Sequence, residues 1–202
     1  MNSPDEDLRD DWYSGLVDEI SVQAIDEFTF DRLRSYYVSN RSLAVNAVSI
    51  FREARSMLDR SPSSALVLFT TTIELGLKVT LLKPVVYGLV HNDSAAELIS
   101  ELAVKQNGFD RFKPLLARIL EEYGGIDFNS FKIENHTKTI WEEINSLQRT
   151  RNSVVHKGEL TNNDSAVLAQ EVATMIMGMF LPSVLNAFGL KLIKGGLIES
   201  AQ

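Results

Sequence analysis

The sequence predicts an all-α fold, a single helical bundle of five or six helices with a polar N-terminal arm. Three observations predict it. Apolar residues recur at helical spacing along most of the 202-residue chain. Runs that alternate apolar and polar residues, the mark of strands, are nearly absent; Gly125 to Ile133 (GIDFNSFKI) is the one short candidate and reads as a loop. Helix start and stop signals recur between the periodic segments.

Taken in order, Asn40 to Asp59 carries the first clear helical pattern, and the TFDRLRSYYVS segment before it is able to extend that helix. Ser61-Pro62 reads as an N-cap followed by proline at the first helical position. The helix it opens, Pro62 to Leu82, is expected to stop before Pro84, because proline disfavours a helical residue ahead of it. It is apolar nearly all round, as a central helix should be. Ser94 to Glu97 fits a capping box that opens a helix to about Gln106. Asp110 caps the next, with Pro114 in its first turn and Gly124-Gly125 at its end. Thr139 to Glu142 fits another capping box, and the helix it opens runs to Lys157-Gly158. Asn163-Asp164 caps a long last helix, and Gly195-Gly196 reads as tail.

Composition bounds the chemistry. Cysteine is absent, which excludes disulfides, zinc-thiolate sites and thiol catalysis and suits a reducing cytoplasm. Residues 1–31 hold ten Asp/Glu and one Lys/Arg, a net of -9. Residues 32–202 hold nineteen Lys/Arg and seventeen Asp/Glu, a net of +2, and together these make the total of -7. The division expected is therefore an acidic arm, 1–31, on a nearly neutral body, 32–202. An acidic total argues against non-specific coating of nucleic acid but leaves room for a local phosphate site. Val172 to Leu190 has no charge over about the length of a membrane span. Pro182, Ser183, Asn186 and two glycines favour instead a bundle helix that also offers an oligomer face, so no membrane is expected as a partner.

The chemistry concentrates in Arg151 to Gly158 (RNSVVHKG). On a wheel, Ile140, Ile144, Leu147, Val154 and Val155 share one side and Arg151 falls within it, so its guanidinium should be paired or held at a wet cleft. Arg151 and His156 are about 140° apart on a straight helix, so they converge on one ligand only if the helix opens or a second chain completes the site. Glu74, the one acid of the central helix, offers two readings: it orients Arg151 or His156, or it pairs with Lys78 four residues on. His91 and His136 lie in expected loops and read as solvated. No two of the three histidines stand at ligand spacing, and neither a metal nor a cofactor is expected. Arg32, Arg34, Arg41, Arg52, Arg55 and Arg60 make a basic segment that reads as a solvated face or a track for RNA. The alternating Met175, Met177 and Met179 read as adaptable packing.

Arg151, Asn152 and His156, at the end of a bundle helix, resemble the Arg-polar-x-x-x-His signature of the HEPN superfamily, and Ile73-Glu74-Leu75 in the central helix resembles a further element of it. The resemblance covers Asn40 to Leu190 as architecture. It implies a metal-independent endoribonuclease, a toxin or antiviral effector, that acts as a homodimer and is paired with an antitoxin or partner enzyme. It implies Arg151, His156, Asn152 and Glu74 as site residues. The alternative it carries is a catalytically silent module that binds nucleotides or proteins. Gly158 stands where one toxin subgroup has a tyrosine, so control by adenylylation of that tyrosine is not expected.

Overall fold

A computed structural model describes residues 28–90, 94–98 and 112–201, and the chain is an all-α bundle with one small hairpin. Helix α1 spans 28–39, so the boundary expected at residue 31 falls inside a helix that buries Leu33 and Tyr37 one turn apart. The turn at 40–44 separates it from α2 (Val45–Met57), so the segment before Asn40 forms a helix of its own and does not extend the next. Helix α3 starts at Pro62 behind an Ser61 N-cap whose side chain accepts from the Ser64 N–H. It packs against α2, α6 (Ile140–Lys157) and α7, the long helix that begins at Asn163, and it is the centre of the bundle. Residues 94–98 form a helical piece, α4, and α5 spans Lys113–Gly124, ending at a left-handed Gly125. Asp110, His91, residues 1–27 and 99–106 lie outside the described residues. Residues 125–133 form no strand.

The central helix does not stop before Pro84. It runs as α-helix over Pro62–Leu75, widens to a π-helix over Gly76–Leu82 and resumes over Lys83–Leu89. Proline removes one donor and its ring crowds the carbonyl four residues back. For Pro84 that carbonyl belongs to Thr80, and the Tyr37 hydroxyl donates to it at 2.7 Å. Burial pushes the Tyr37 phenol far above its ordinary value, so it keeps the proton that it donates. Helix α7 repeats the device: Asn163–Met175 gives way to a π-helix over Ile176–Phe180, and Leu181–Ala187 continues through Pro182. There the carbonyl four back belongs to Gly178, which is exposed to water. Each π-helix ends two residues before a proline, and the wider turn lets the helix pass it.

Tyr37→Phe should therefore cost about 1–3 kcal/mol, the cost of stranding a buried acceptor. In a Pro84→Ala background the residue-84 N–H becomes available to Thr80, and the same change should cost less. Urea unfolding of the four chains of this cycle measures the difference. Equal costs in both backgrounds would refute this account of the π-helix.

The two long helices cross at their π segments. A Cβ at Gly76 would stand 2.7 Å from Ile176 Cγ2, so the glycine sets how closely α3 and α7 approach. Both helices, Pro62–Gly88 and Asn163–Ala187, are long and apolar enough to cross a membrane by length and composition, and the first has 67% of its apolar window buried inside the bundle. Gly195-Gly196 is not a loose tail. It forms the turn of an antiparallel hairpin, β1 (Leu190–Leu192) with β2 (Ile198–Ser200), in which Leu192 faces Ile198. The Ile198 N–H donates to the Arg41 carbonyl, and the Arg41 Nε donates back to the Ile198 carbonyl, which binds the hairpin to the α1–α2 turn.

Candidate functional site

Helix α6 carries the motif and is held at both ends. At its start Thr139 and Glu142 form the expected capping box: the Glu142 N–H donates to the Thr139 hydroxyl and the Thr139 N–H donates to the Glu142 carboxylate at 2.8 Å. The Thr139 backbone N–H, helped by its hydroxyl, holds the Glu142 carboxyl below its ordinary value. At its end Gly158 takes the left-handed cap at φ 68°. Asn162, one residue earlier than expected, caps α7 by accepting from the Ser165 N–H.

Burial divides α6 in two. Ile140, Trp141, Glu143, Ile144 and Leu147 are buried, and no residue from Gln148 to Gly158 is. The apolar stripe expected through Val154 and Val155 fades: Val154 is half-buried and Val155 is exposed. Arg151 is consequently not sealed in the core. It is half-buried, and its guanidinium donates to the carboxamide oxygen of Asn152 at 3.1 Å. It pairs with neither Glu74 nor Asp164. His156 is exposed and makes no hydrogen bond or ion pair with a described residue, the nearby backbone carbonyls included.

Glu74 takes the local alternative. Its carboxylate accepts from Lys78 at 2.8 Å, with the lysine side chain only 2% exposed and Glu74 40% exposed. The Thr161 N–H donates to the Ser63 hydroxyl, which sets the end of α6 beside the start of α3. Among the described residues Glu74 makes no hydrogen bond or ion pair with Arg151 or His156, and the expectation that it orients either is corrected accordingly.

His136 is also corrected. It is not solvated but stands between two carboxylates, with Nδ1 3.4 Å from buried Glu143 of α6 and Nε2 3.2 Å from Glu171 of α7. The 125–139 segment folds back through the Ile140 N–H to Phe131 carbonyl bond and buries Phe128, which brings the ring there. Sequence periodicity holds no signal for that return. Among the described residues no group of three His, Asp or Glu stands as a metal site.

The six arginines split. Arg32 donates to the carbonyls of Tyr87 and Val90, Arg34 to that of Phe188, and Arg41 to Ile198 and Glu199, so these three cap helix ends and the hairpin. Arg52, Arg55 and Arg60 are exposed without a partner among the described residues. A cleft of about 900 Å³, lined by Phe28, Arg32, Tyr36, Lys83, Tyr87 and Glu97, lies along the other end of α3. Tyr87 is 24 residues from Ser63, about 36 Å along the helix, so this cleft is not part of the motif. Burial, with Tyr87 and Glu97 adding to it, pushes the Tyr36 hydroxyl up to about 12.

A residue the motif does not include shares its face. Arg149 precedes Asn152 by three positions and His156 by seven, so the three lie within about 60° on the helix. All are exposed. From Ile144 to Gly158 the chain has three cations, Arg149, Arg151 and Lys157, and no acid. The signal was present in the sequence as a helical stripe, but that no residue of this half of α6 is fully buried is a tertiary fact. Comparison of the chain with protein-family models, with curated proteins and with solved structures returns no match.

Proposed function

We propose that the chain is a metal-independent endoribonuclease of HEPN type that works as a homodimer. The observation that carries this is the exposed, acid-free second half of α6, with Arg151 hydrogen-bonded to Asn152 and His156 open to solvent. Asn152 draws the Arg151 guanidinium toward the side of the helix that His156 occupies, which offsets part of their angular divergence. An arginine is suited to two oxygens of one phosphate. A histidine is suited to proton transfer near neutral pH.

The reaction needs no co-reactant. A base takes the proton of the ribose 2'-hydroxyl, whose oxygen attacks phosphorus. The bond to the 5'-oxygen breaks, and an acid returns a proton to that oxygen. The products are a 2',3'-cyclic phosphate and a 5'-hydroxyl. One imidazole does not reach both sides of an in-line displacement, and two chains supply two. Exposed Val155 (46%) and Leu160 (91%), on either side of His156, give the apolar contact that a dimer at this face requires. A toxin or antiviral role, and an antitoxin or partner enzyme that covers the site, follow from the same reading.

The test is incubation of the purified protein with RNA in excess EDTA. Cleavage to 2',3'-cyclic phosphate ends is the expected result. RNA bound and left intact would replace this reading with the silent binding module.

A further inference from the structure

We infer that Arg149 is a second phosphate-binding side chain of this face, and that the face takes an oligonucleotide with at least two phosphates. The inference rests on the reading of the face as an RNA site and deepens it.

The structure gives Arg149 no other task. It is exposed and has no hydrogen bond or ion pair among the described residues. Lys78 and Arg118, on α3 and α5, each pair with an acid one turn away, Glu74 and Glu122. The positions one turn from Arg149 are Asn145, Ser146, Asn152 and Ser153, none of them acidic. A guanidinium with no carboxylate in helical reach stays available to an anion from outside. Its place is fixed by the helix. Seven residues separate it from His156, about 10 Å along the axis, on one face. That is too far for both to hold one phosphate, and it directs Arg149 to a phosphate next to the one that reacts. Solvation alone is the competing role, since an arginine in the second half of a helix is also favoured by the helix dipole. That role gives Arg149 no part in RNA affinity.

The experiment compares Arg149→Gln and Arg149→Lys with the wild-type chain. Binding is measured with an RNA whose 2'-hydroxyls are replaced by hydrogen, so that it is not cleaved, over a series of salt concentrations. Arg149→Gln should weaken binding about tenfold at low salt and lower the slope of log K against log salt by about 0.7, the share of one phosphate contact on a single strand. Arg149→Lys should restore the slope. In cleavage, KM for an oligonucleotide should rise with kcat within about twofold, and cleavage of a dinucleoside monophosphate, which has one phosphate, should not change. Wild-type cleavage with an unchanged slope and KM in Arg149→Gln would overturn the role of Arg149 and leave the ribonuclease reading in place. RNA binding that loses slope in Arg149→Gln, without cleavage by any chain, would support the phosphate role and overturn the ribonuclease reading.

Discussion

Arg151→Ala and His156→Ala are each expected to lower RNA cleavage by at least about 10²-fold, the range for loss of a general acid–base or of a charge-stabilising donor. Neither should disturb the fold. His156 is exposed and Arg151 bonds only its neighbour, so each change should cost within about 0.5 kcal/mol of stability. Circular dichroism and thermal melting check the second half of this prediction, and single-turnover cleavage checks the first. Asn152→Ala should have a smaller effect than either, because it frees the guanidinium without removing it. Light scattering on the wild-type chain should return a dimer at micromolar concentration. Loss of helicity in both alanine variants would assign the motif a structural role, and a folded, fully active His156→Ala would end its role in proton transfer.

Gly196→Ala has the largest expected effect on stability. The residue has φ 89°, and an added Cβ would stand 2.8 Å from the Ala44 carbonyl oxygen and 2.8 Å from Val45 Cα. Both are backbone atoms, which do not move aside as a side-chain tip does. The left-handed backbone costs roughly 1–2 kcal/mol and the overpacking roughly 1–3 kcal/mol. A loss of about 2–5 kcal/mol in total lowers the melting temperature of a chain of this size by roughly 5–15 °C. Gly195→Ala is the control. Gly195 has φ 102°, but nothing lies within 4 Å of its Cβ position, so only the backbone cost applies. Equal melting temperatures for the two variants would show that the hairpin does not press on the α1–α2 turn.

Local signals made much of the bundle legible in advance. Ser61-Pro62, the Thr139–Glu142 box, Gly125 and Gly158 each work through atoms within a few residues of one another, and all four stand where the sequence places them. The loop over 125–133 follows from its turn residues in the same way. The prolines show the limit of that logic. Pro84 and Pro182 break an isolated helix, but here Tyr37, from another helix, serves the Thr80 carbonyl, and Gly178, four residues before Pro182, lies exposed at the surface.

For the candidate site the division is the same. The sequence by itself determined that Arg151, Asn152 and His156 lie on one capped helix, and their angular order around it, because helical geometry needs no partner. Only the tertiary structure decided which part of that helix meets the core. Helix α6 is buried through Leu147 and emerges beyond it, where the Ser63–Thr161 bond marks the end of the bundle. That emergence exposes His156 and Arg149 and leaves Arg151 with Asn152 instead of an acid, while Glu74 pairs with Lys78 on its own helix. Periodicity records which residues share a face. It does not record where the neighbouring helix ends, and the length of that neighbour determines which charges reach water.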